Sequence, residues 1–242
     1  MAASEMLVYG FHPVREALRR RPEGLRRVLV ARSADRRRRE IEALCRRHGV
    51  RLERTSGAEL DRLAPGTHNG LVAELRLDAV AAGTAEGGDA ELAVLLEDLQ
   101  DPRNLGALLR VCEGAGVGRV LIRDRGSAPL SATVTRTSAG AAEWLDVERV
   151  SNAANALERL KEEGFWVYGA AAEGEPVWQV DLTGKVVFCF GGEEKGLRSL
   201  TRKRCDRLVA LPMAGRVESL NVATAAAAIL FEARRQRSGP DA

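Results

Sequence analysis

Polar side chains stand at three places where an apolar strand gives way to a loop and then to a helix. They are Asn104 and Arg110 in "LEDLQDPRNLGALLR", Glu193 in "FCFGGEEKGL", and Ser219 and Asn221 in "LPMAGRVESLNVATAAAA". An arginine can stabilise negative charge that develops on an oxygen atom, and amide, hydroxyl and carboxylate groups can orient it. Without further context the structural alternative is favoured, in which Asn104 caps the helix that follows it and Arg110 is a surface charge.

The glycines of the second loop indicate close approach of the backbone to a ligand. Gly191 and Gly196 have the spacing of a phosphate loop, but Leu197 and Arg198 stand where such a loop needs Lys and Ser or Thr. Two adjacent glutamates would also repel phosphates. "GAGVG" at 114–118 follows a helix and precedes a strand, the reverse of a dinucleotide-binding fingerprint, which argues against a nucleotide-dependent oxidoreductase. A ligand with a nucleoside part and no phosphate fits better.

The elements that must position these loops alternate between strand and helix. Apolar runs such as "KVVFCF" and "LAVLL" are typical of a parallel sheet covered on both faces. We predict strands at 93–98, 119–123, 144–149, 166–171, 185–190 and 207–211, and helices at 105–114, 131–140, 152–163, 197–204 and 220–236. Because ligands bind such α/β sheets at the carboxyl ends of the strands, the three loops are expected to meet there.

The first 78 residues predict a smaller α/β unit. Helices are expected in "HPVREALRR" and "ADRRRREIEALCRRHG", and strands in "RVLVA", "VRLERT" and "LVAELRLD". Ser56 and Glu59 form a capping-box pattern at the start of a third helix. Residues 79–90, "AVAAGTAEGGDA", predict a flexible linker, and residues 91–242 form the second domain.

Charge is divided unevenly along the 242 residues. Residues 1–77 hold 17 Lys and Arg against 10 Asp and Glu, whereas the remainder holds 20 against 24. A basic unit joined to a mildly acidic one indicates contact with a polyanion such as nucleic acid, through runs such as "RRRPEGLRR" and "DRRRRE". The alternative is that Arg36 to Arg39 form the solvated face of a helix.

Several classes of protein are disfavoured by the composition. No apolar run approaches the ~20 residues that cross a bilayer, and the first residues lack a secretory pattern, so we expect a cytoplasmic protein. The four cysteines form no C-x-x-C pair, and the three histidines are scattered, so neither a disulfide framework nor a metal site is expected. Cys45, Cys112 and Cys189 are predicted to be buried, and Cys205 to lie near the surface.

Taken in series, "DPRNLGALLR", "FGGEEKGL" and "LPMAGRVESLNVATAAAAILFEA" closely resemble the three motifs of the SpoU family. These are S-adenosylmethionine-dependent RNA ribose 2′-O-methyltransferases of the SPOUT superfamily. The amino-terminal "VYGFHPVREAL" and "HNGLVAEL" are similar to the small RNA-binding domain, of L30e-like fold, found in the subgroup that methylates a guanosine in the peptidyl-tRNA-binding loop of 23S rRNA.

This resemblance implies roles for particular residues and a particular fold. It implies a catalytic pocket lined by Asn104, Arg110, Glu193, Ser219 and Asn221, and a methyl donor held by Gly191, Gly196, Leu211, Met213 and Leu220. It also implies a deep trefoil knot, a homodimer with its active site near the subunit boundary, and S-adenosylmethionine as donor with no metal. Glu194 departs from the family pattern, which often has glycine there, and would be strained if that position needs a positive φ.

We therefore expect a 2′-O-methyltransferase acting on 23S rRNA. A related enzyme for another rRNA or tRNA site and a non-catalytic RNA-binding assembly factor are the alternatives. The family proposal makes the residue at Arg110 the proton acceptor. Because a guanidinium stays protonated, we assign Arg110 instead to steering the phosphate and stabilising the developing alkoxide.

Overall fold

A computed structural model describes residues 5–31, 36–64, 67–76, 88–193, 195–217 and 219–238. Two sheets form within these ranges. A four-stranded mixed sheet has the order β1-β4-β2-β3, and a six-stranded parallel sheet has the order β10-β8-β9-β5-β6-β7. We call residues 5–76 the amino-terminal unit and residues 88–238 the carboxyl-terminal unit.

The amino-terminal unit packs three helices on the mixed sheet. Its elements are β1 (Glu5–Tyr9), α1 (Phe11–Arg20), β2 (Leu25–Ala31), α2 (Arg36–His48), β3 (Leu52–Thr55), α3 (Gly57–Leu63) and β4 (Leu71–Arg76). The predicted cap of α3 is confirmed, because Ser56 Oγ accepts the N–H of Glu59 at 3.2 Å. β1 was not predicted. It is held by antiparallel pairing with the distant β4, which a local pattern does not reveal.

The carboxyl-terminal unit has the predicted α/β alternation, with boundaries shifted by a few residues. Its elements are β5 (Asp89–Leu96), α4 (Pro102–Gly114), β6 (Val117–Arg123), α5 (Ala132–Thr137), β7 (Asp146–Val150), α6 (Ala153–Glu162), β8 (Trp166–Pro176), β9 (Val186–Phe190), α7 (Ser199–Arg204), β10 (Arg207–Ala210) and α8 (Val222–Arg237). β5 begins within the segment predicted as a linker. Positions 79–87 of that segment lie outside the described residues.

Both faces of the parallel sheet are buried, as the continuous apolar strands predict. Leu92, Val94 and Leu96 of β5 face the helices α4 and α8, whereas Ala93 and Leu95 face α6. Leu105, Leu108 and Cys112 form a fully buried stripe on α4, and Ala115 directly after the helix is buried as well. This packing fixes the carboxyl ends of β5, β9 and β10 close to one another.

Cysteine burial also follows the prediction. Cys45, Cys112 and Cys189 are buried, Cys205 is half-buried, and all four are free thiols. In the ranges given above, no three His, Cys, Asp or Glu side chains are grouped so that they could hold a metal ion. No helix described here combines the length and the apolar character that a membrane crossing requires.

Candidate active site

A cavity of about 560 Å³ opens at the carboxyl ends of β9 and β10 and beside the middle of β8. Such a volume lies within the range of roughly 300–1,000 Å³ common for small-molecule sites. Its described lining comes from three stretches and the start of α8: Ala170, Ala171, Ala172, Phe190, Gly191, Gly192, Glu193, Gly196, Val209, Ala210, Leu211, Pro212, Met213, Ser219, Leu220, Asn221, Val222, Ala225 and Ile229. The second and third polar loops therefore meet here, as the parallel sheet predicts.

The glycine loop after β9 folds tightly back on itself. The N–H of Gly196 donates to the carbonyl of Gly192 at 2.9 Å, and Gly196 has a φ of 60°. A Cβ on Gly191 would overlap the backbone of Gly196 and Leu197. Gly191 is thus required because two backbone segments touch there, and the turn exposes backbone groups to the cavity.

Glu97 and Asp98, which directly follow β5, form hydrogen bonds with residues that lie just after this loop. Glu97 is 1% exposed and accepts hydrogen bonds from Thr201 Oγ1 at 2.7 Å and from the N–H of Arg198 at 3.4 Å. Asp98 has a φ of 53° and accepts from Arg123 at 2.8 Å and from Arg198 at 3.0 Å. The first and second polar loops are therefore joined by buried and half-buried carboxylates.

Glu97 gives a prediction about stability and pH. Burial raises the pKa of its carboxyl, while the hydrogen bonds from Thr201 and Arg198 lower it. The ordinary pKa of a glutamate is 4.5. Because the folded pKa of Glu97 is higher, the folded chain binds more protons than the unfolded chain at pH values above 4.5. Stability should therefore fall as pH rises from that value through the folded pKa.

The free energy of unfolding, measured with urea at several pH values in this range, should fall with pH in the unsubstituted protein. Glu97→Gln should have a shallower slope of this free energy against pH, because the contribution of Glu97 is removed. Glu113→Gln, at an exposed position of α4, serves as the control and should keep the slope. Equal slopes for Glu97→Gln and the unsubstituted protein would contradict the assignment.

Asn104 joins the first loop to the other two, and its position corrects one expectation. The cap of α4 is Asp101, whose carboxylate accepts the N–H of Arg103 at 2.7 Å, not Asn104. Asn104 lies in the first turn, so its side chain is available for other contacts. Its Nδ2 donates to Glu193, and its Oδ1 accepts from Asn221 Nδ2 at 3.0 Å.

Asn221 has two roles in the third loop. Its Oδ1 accepts the N–H groups of Ala223 at 3.0 Å and Thr224 at 3.4 Å, which caps α8. The helix therefore starts at Val222, two residues after the predicted start at 220. Because the cap uses Oδ1, the amide nitrogen remains for Asn104.

Two protein-family models match the chain. The model of the SpoU rRNA methylase family matches residues 91–231, more than half of the chain. The chain belongs to the SpoU family. A second family model, described as RNA 2′-O ribose methyltransferase substrate binding, matches residues 7–79. The SpoU match spans all three polar loops of the site.

Relatives resemble the chain along its whole length. A protein of Xanthomonas axonopodis pv. citri named 23S rRNA (guanosine-2'-O-)-methyltransferase RlmB is 40% identical over 248 residues, covering 99% of this chain and 100% of the relative. A protein of Xylella fastidiosa with the same name is 42% identical, covering 96% of each. The likeness therefore includes the amino-terminal unit.

Solved structures of SpoU proteins have the same arrangement. The SpoU methyltransferase AviRb from Streptomyces viridochromogenes, in complex with AdoMet, superposes with a TM-score of 0.78 at 27% identity, covering 97% of this chain and 91% of AviRb. A structure described as an RNA 2'-O ribose methyltransferase gives a TM-score of 0.82 at 26% identity, covering 97% and 90%.

The structure brings most of the residues suggested by the SpoU motifs together. Glu193, Ser219 and Asn221 line the cavity, as do the five residues expected at a methyl donor: Gly191, Gly196, Leu211, Met213 and Leu220. Asn104 contacts Glu193 and Asn221. Arg110 does not line the cavity of its own chain. It is exposed and lies six positions after Asn104 on α4, which places it about 9 Å further along the helix axis and about 120° around it.

Sequence reasoning missed two parts of the site. Ala170 to Ala172 line the cavity from the middle of β8, directly after the residues that pair with β9, and nothing in three small residues distinguishes them from any tight packing surface. Glu97 and Asp98 were treated only as the end of a strand. Two carboxylates directly after a buried apolar run were the signal that could have marked them as a support for the loops.

Proposed function

We propose that this chain is an S-adenosylmethionine-dependent methyltransferase that modifies the ribose 2′-hydroxyl of a guanosine in 23S rRNA. The observation that carries the proposal is the joining of Asn104, Glu193 and Asn221 beside an apolar cavity closed by a glycine loop. Membership of the SpoU family and the names of the relatives support the reaction and the class of RNA. We place the target in the peptidyl-tRNA-binding loop, as the amino-terminal resemblance implies.

The cavity suits a cationic donor that lacks phosphate. Leu211, Met213, Leu220 and Ile229 provide an apolar wall, and the glycine loop provides backbone groups. The described lining residues include one charged side chain, the carboxylate of Glu193, and they include no Lys or Arg. A nucleotide phosphate would be disfavoured there, whereas a positively charged ligand would be attracted.

Chemistry in this site depends mainly on alignment. S-adenosylmethionine supplies a methyl group on a cationic sulfonium, which is already an activated leaving group. The protein has to hold the 2′-oxygen in line and stabilise the alkoxide that forms as its proton leaves. We assign that stabilisation to Arg110, and the orientation of the acceptor to Asn104 and Ser219.

Exposed cations support RNA as the substrate. Arg103, Lys195 and Arg216 extend from the three loops, and the described part of the chain offers none of them an ion pair. On α2, Arg37, Arg39, Arg46 and Arg47 are exposed, whereas Arg38 is buried and pairs with Glu42 at 3.5 Å. Exposed cations at both places can contact the phosphates of one RNA.

A homodimer would account for the position of Arg110. Thr224, Ala228 and Phe231 form an exposed stripe on α8, and Phe231 is 51% exposed. The Phe231 ring lies 3.7 Å from where a Cβ on Gly114 would stand, on the same face of α4 as Arg110. We therefore propose that two chains pair through this face and that Arg110 serves the cavity of the partner subunit.

The remaining expectations belong to the same proposal. We propose domains at 1–78 and 91–242 joined by a linker at 79–90, supported by the ranges of the two family models. An L30e-like fold for the first domain, a trefoil knot in the second and a cytoplasmic location are implied by the SpoU resemblance. A methyltransferase for another rRNA or tRNA site remains the alternative, together with a non-catalytic RNA-binding assembly factor.

Two measurements separate these functions. Titration calorimetry with S-adenosylmethionine should show one donor per chain, and absence of binding would favour the assembly factor. Mapping of 2′-O-methyl groups in RNA from a strain that lacks the gene should show one guanosine of 23S rRNA unmodified. A missing methyl group in tRNA, or at another rRNA position, would assign the chain to the alternative enzyme.

A further inference from the structure

The helices α1 and α2 pack on one face of the amino-terminal sheet, and the opposite face is covered partly by the carboxyl-terminal unit. Tyr9, Leu29 and Val72 form a row across β1, β2 and β4, since Val72 is in register with both of the others. All three are buried, and Ala132 at the start of α5 packs against them. The Arg136 guanidinium, also on α5, lies 5.9 Å from the centre of the Tyr9 ring. The two units thus share an apolar contact.

A buried ion pair crosses the same boundary. Arg21, directly after α1, contacts Glu143 in the 3-10 turn Ala141–Glu143, and the two residues are 9% and 2% exposed. Burial raises the pKa of Glu143, and the charge and hydrogen bond of Arg21 oppose that shift. A buried carboxylate is unfavourable without its partner, so this pair requires one relative placement of the two units.

Contacts around the ion pair are equally specific. Trp144 Nε1 donates to Glu16 at 3.1 Å, and the Arg20 guanidinium lies 5.7 Å from the centre of the Trp144 ring. Gly140 has a φ of 89°, and a Cβ there would stand 2.9 Å from the side chain of Glu16. The approach of α1 to residues 140–144 is therefore close as well as polar.

This boundary lies one helix away from the candidate active site. Gly106 of α4 packs directly on Thr137 at the end of α5, where a Cβ would overlap the threonine side chain. Thr137 Oγ1 also lies 3.4 Å from the carbonyl oxygen of Pro102, in the turn that carries Asn104. The packing of α5 on α4 therefore connects the boundary with the amino-terminal unit to the turn that carries Asn104.

We propose that the Arg21–Glu143 ion pair fixes the orientation of the amino-terminal unit, so that Glu143 is a positioning residue for the RNA. The role rests on the proposed function, in which the amino-terminal unit binds RNA. A linker alone would leave that unit free to sample many orientations. The pair and its surroundings hold it in one, which presents the bound RNA to the site at a set distance.

Distances between spin labels test the docking directly. Labels at Arg47→Cys and Glu162→Cys, both exposed, report one distance across the boundary in a Cys205→Ser background diluted with unlabelled protein. We expect one narrow distribution, which broadens in Glu143→Gln and in Arg21→Gln. Glu158→Gln, which removes an exposed pair with Arg204, should leave it narrow. A broad distribution before any substitution would overturn the proposal.

Kinetics test the consequence for RNA. Glu143→Gln should raise KM for 23S rRNA at least tenfold, with kcat changed less than twofold and the Kd for S-adenosylmethionine unchanged. A merely destabilised protein would lose donor binding too. Active Glu143→Gln protein with an unchanged KM would overturn this inference alone. Failure of the proposed function would appear instead in the unsubstituted protein, which would transfer no methyl group to RNA.

Discussion

Replacing Arg110 by alanine should reduce methyl transfer by a factor of roughly 10²–10³ or more, the effect of removing one group that stabilises an oxyanion. Binding of S-adenosylmethionine should be unchanged, because we assign Arg110 to the developing alkoxide of the ribose and not to the donor. Single-turnover transfer to 23S rRNA and calorimetry of the donor measure the two quantities. Weakened donor binding in Arg110→Ala would contradict this assignment.

Arg110→Lys distinguishes two roles for the side chain. A lysine keeps the positive charge, so a variant that retains most activity would favour charge stabilisation over proton removal by the guanidinium. Loss equal to that of Arg110→Ala would instead show that the planar guanidinium itself is needed.

Mixing of variants tests whether Arg110 acts across a dimer. Chains with Arg110→Ala and chains with Gly191→Ala should each be inactive. Random pairing would give mixed dimers in which one site has both intact parts, so about a quarter of the original activity should return. No recovery after confirmed subunit exchange would contradict action on the partner's cavity.

Replacing Gly191 by alanine should weaken donor binding strongly. The added Cβ would overlap the backbone of Gly196 and Leu197, and backbone cannot move aside as a flexible side chain does. Overpacking of this kind costs about 3 kcal/mol or less in a core that relaxes. Here the relaxation opens the loop itself, so we expect donor affinity to fall by a factor on the order of 100.

Gly215→Ala is the matched control for this substitution. Gly215 lies in the third loop, and apart from its two chain neighbours the described part of the chain has no atom within 4 Å of where its Cβ would stand. Calorimetry should give Gly215→Ala the original donor affinity. If Gly191→Ala binds the donor as well as Gly215→Ala does, the glycine loop does not hold the donor.

Much of the architecture was predictable because parallel strands buried on both faces are apolar throughout. The run at 186–190 is continuously apolar and is buried at every position, and Leu105, Leu108 and Cys112 have helical spacing and are all buried. β1 escaped prediction because its partner, β4, is more than 60 residues away. Pairing over that distance leaves no local pattern.

The site was predictable in its residues but not in its connections. Asn104 was expected either to cap α4 or to serve the site, and only the structure shows that Asp101 takes the cap. Asn221 takes both roles, because an amide has an oxygen to accept and a nitrogen to donate. The ion pair of Arg21 with Glu143 joins residues 122 positions apart, and their types alone indicate two ordinary surface charges.

The most direct test of the account is transfer of a labelled methyl group. Purified protein is incubated with unmodified 23S rRNA and S-adenosylmethionine labelled in its methyl group, and the RNA is then digested to nucleosides. We predict one labelled 2′-O-methylguanosine for each RNA, and far slower labelling with Arg110→Ala. Label on a base, or no transfer by a protein that does not bind the donor, would contradict the claim that these three loops form a ribose methyltransferase site.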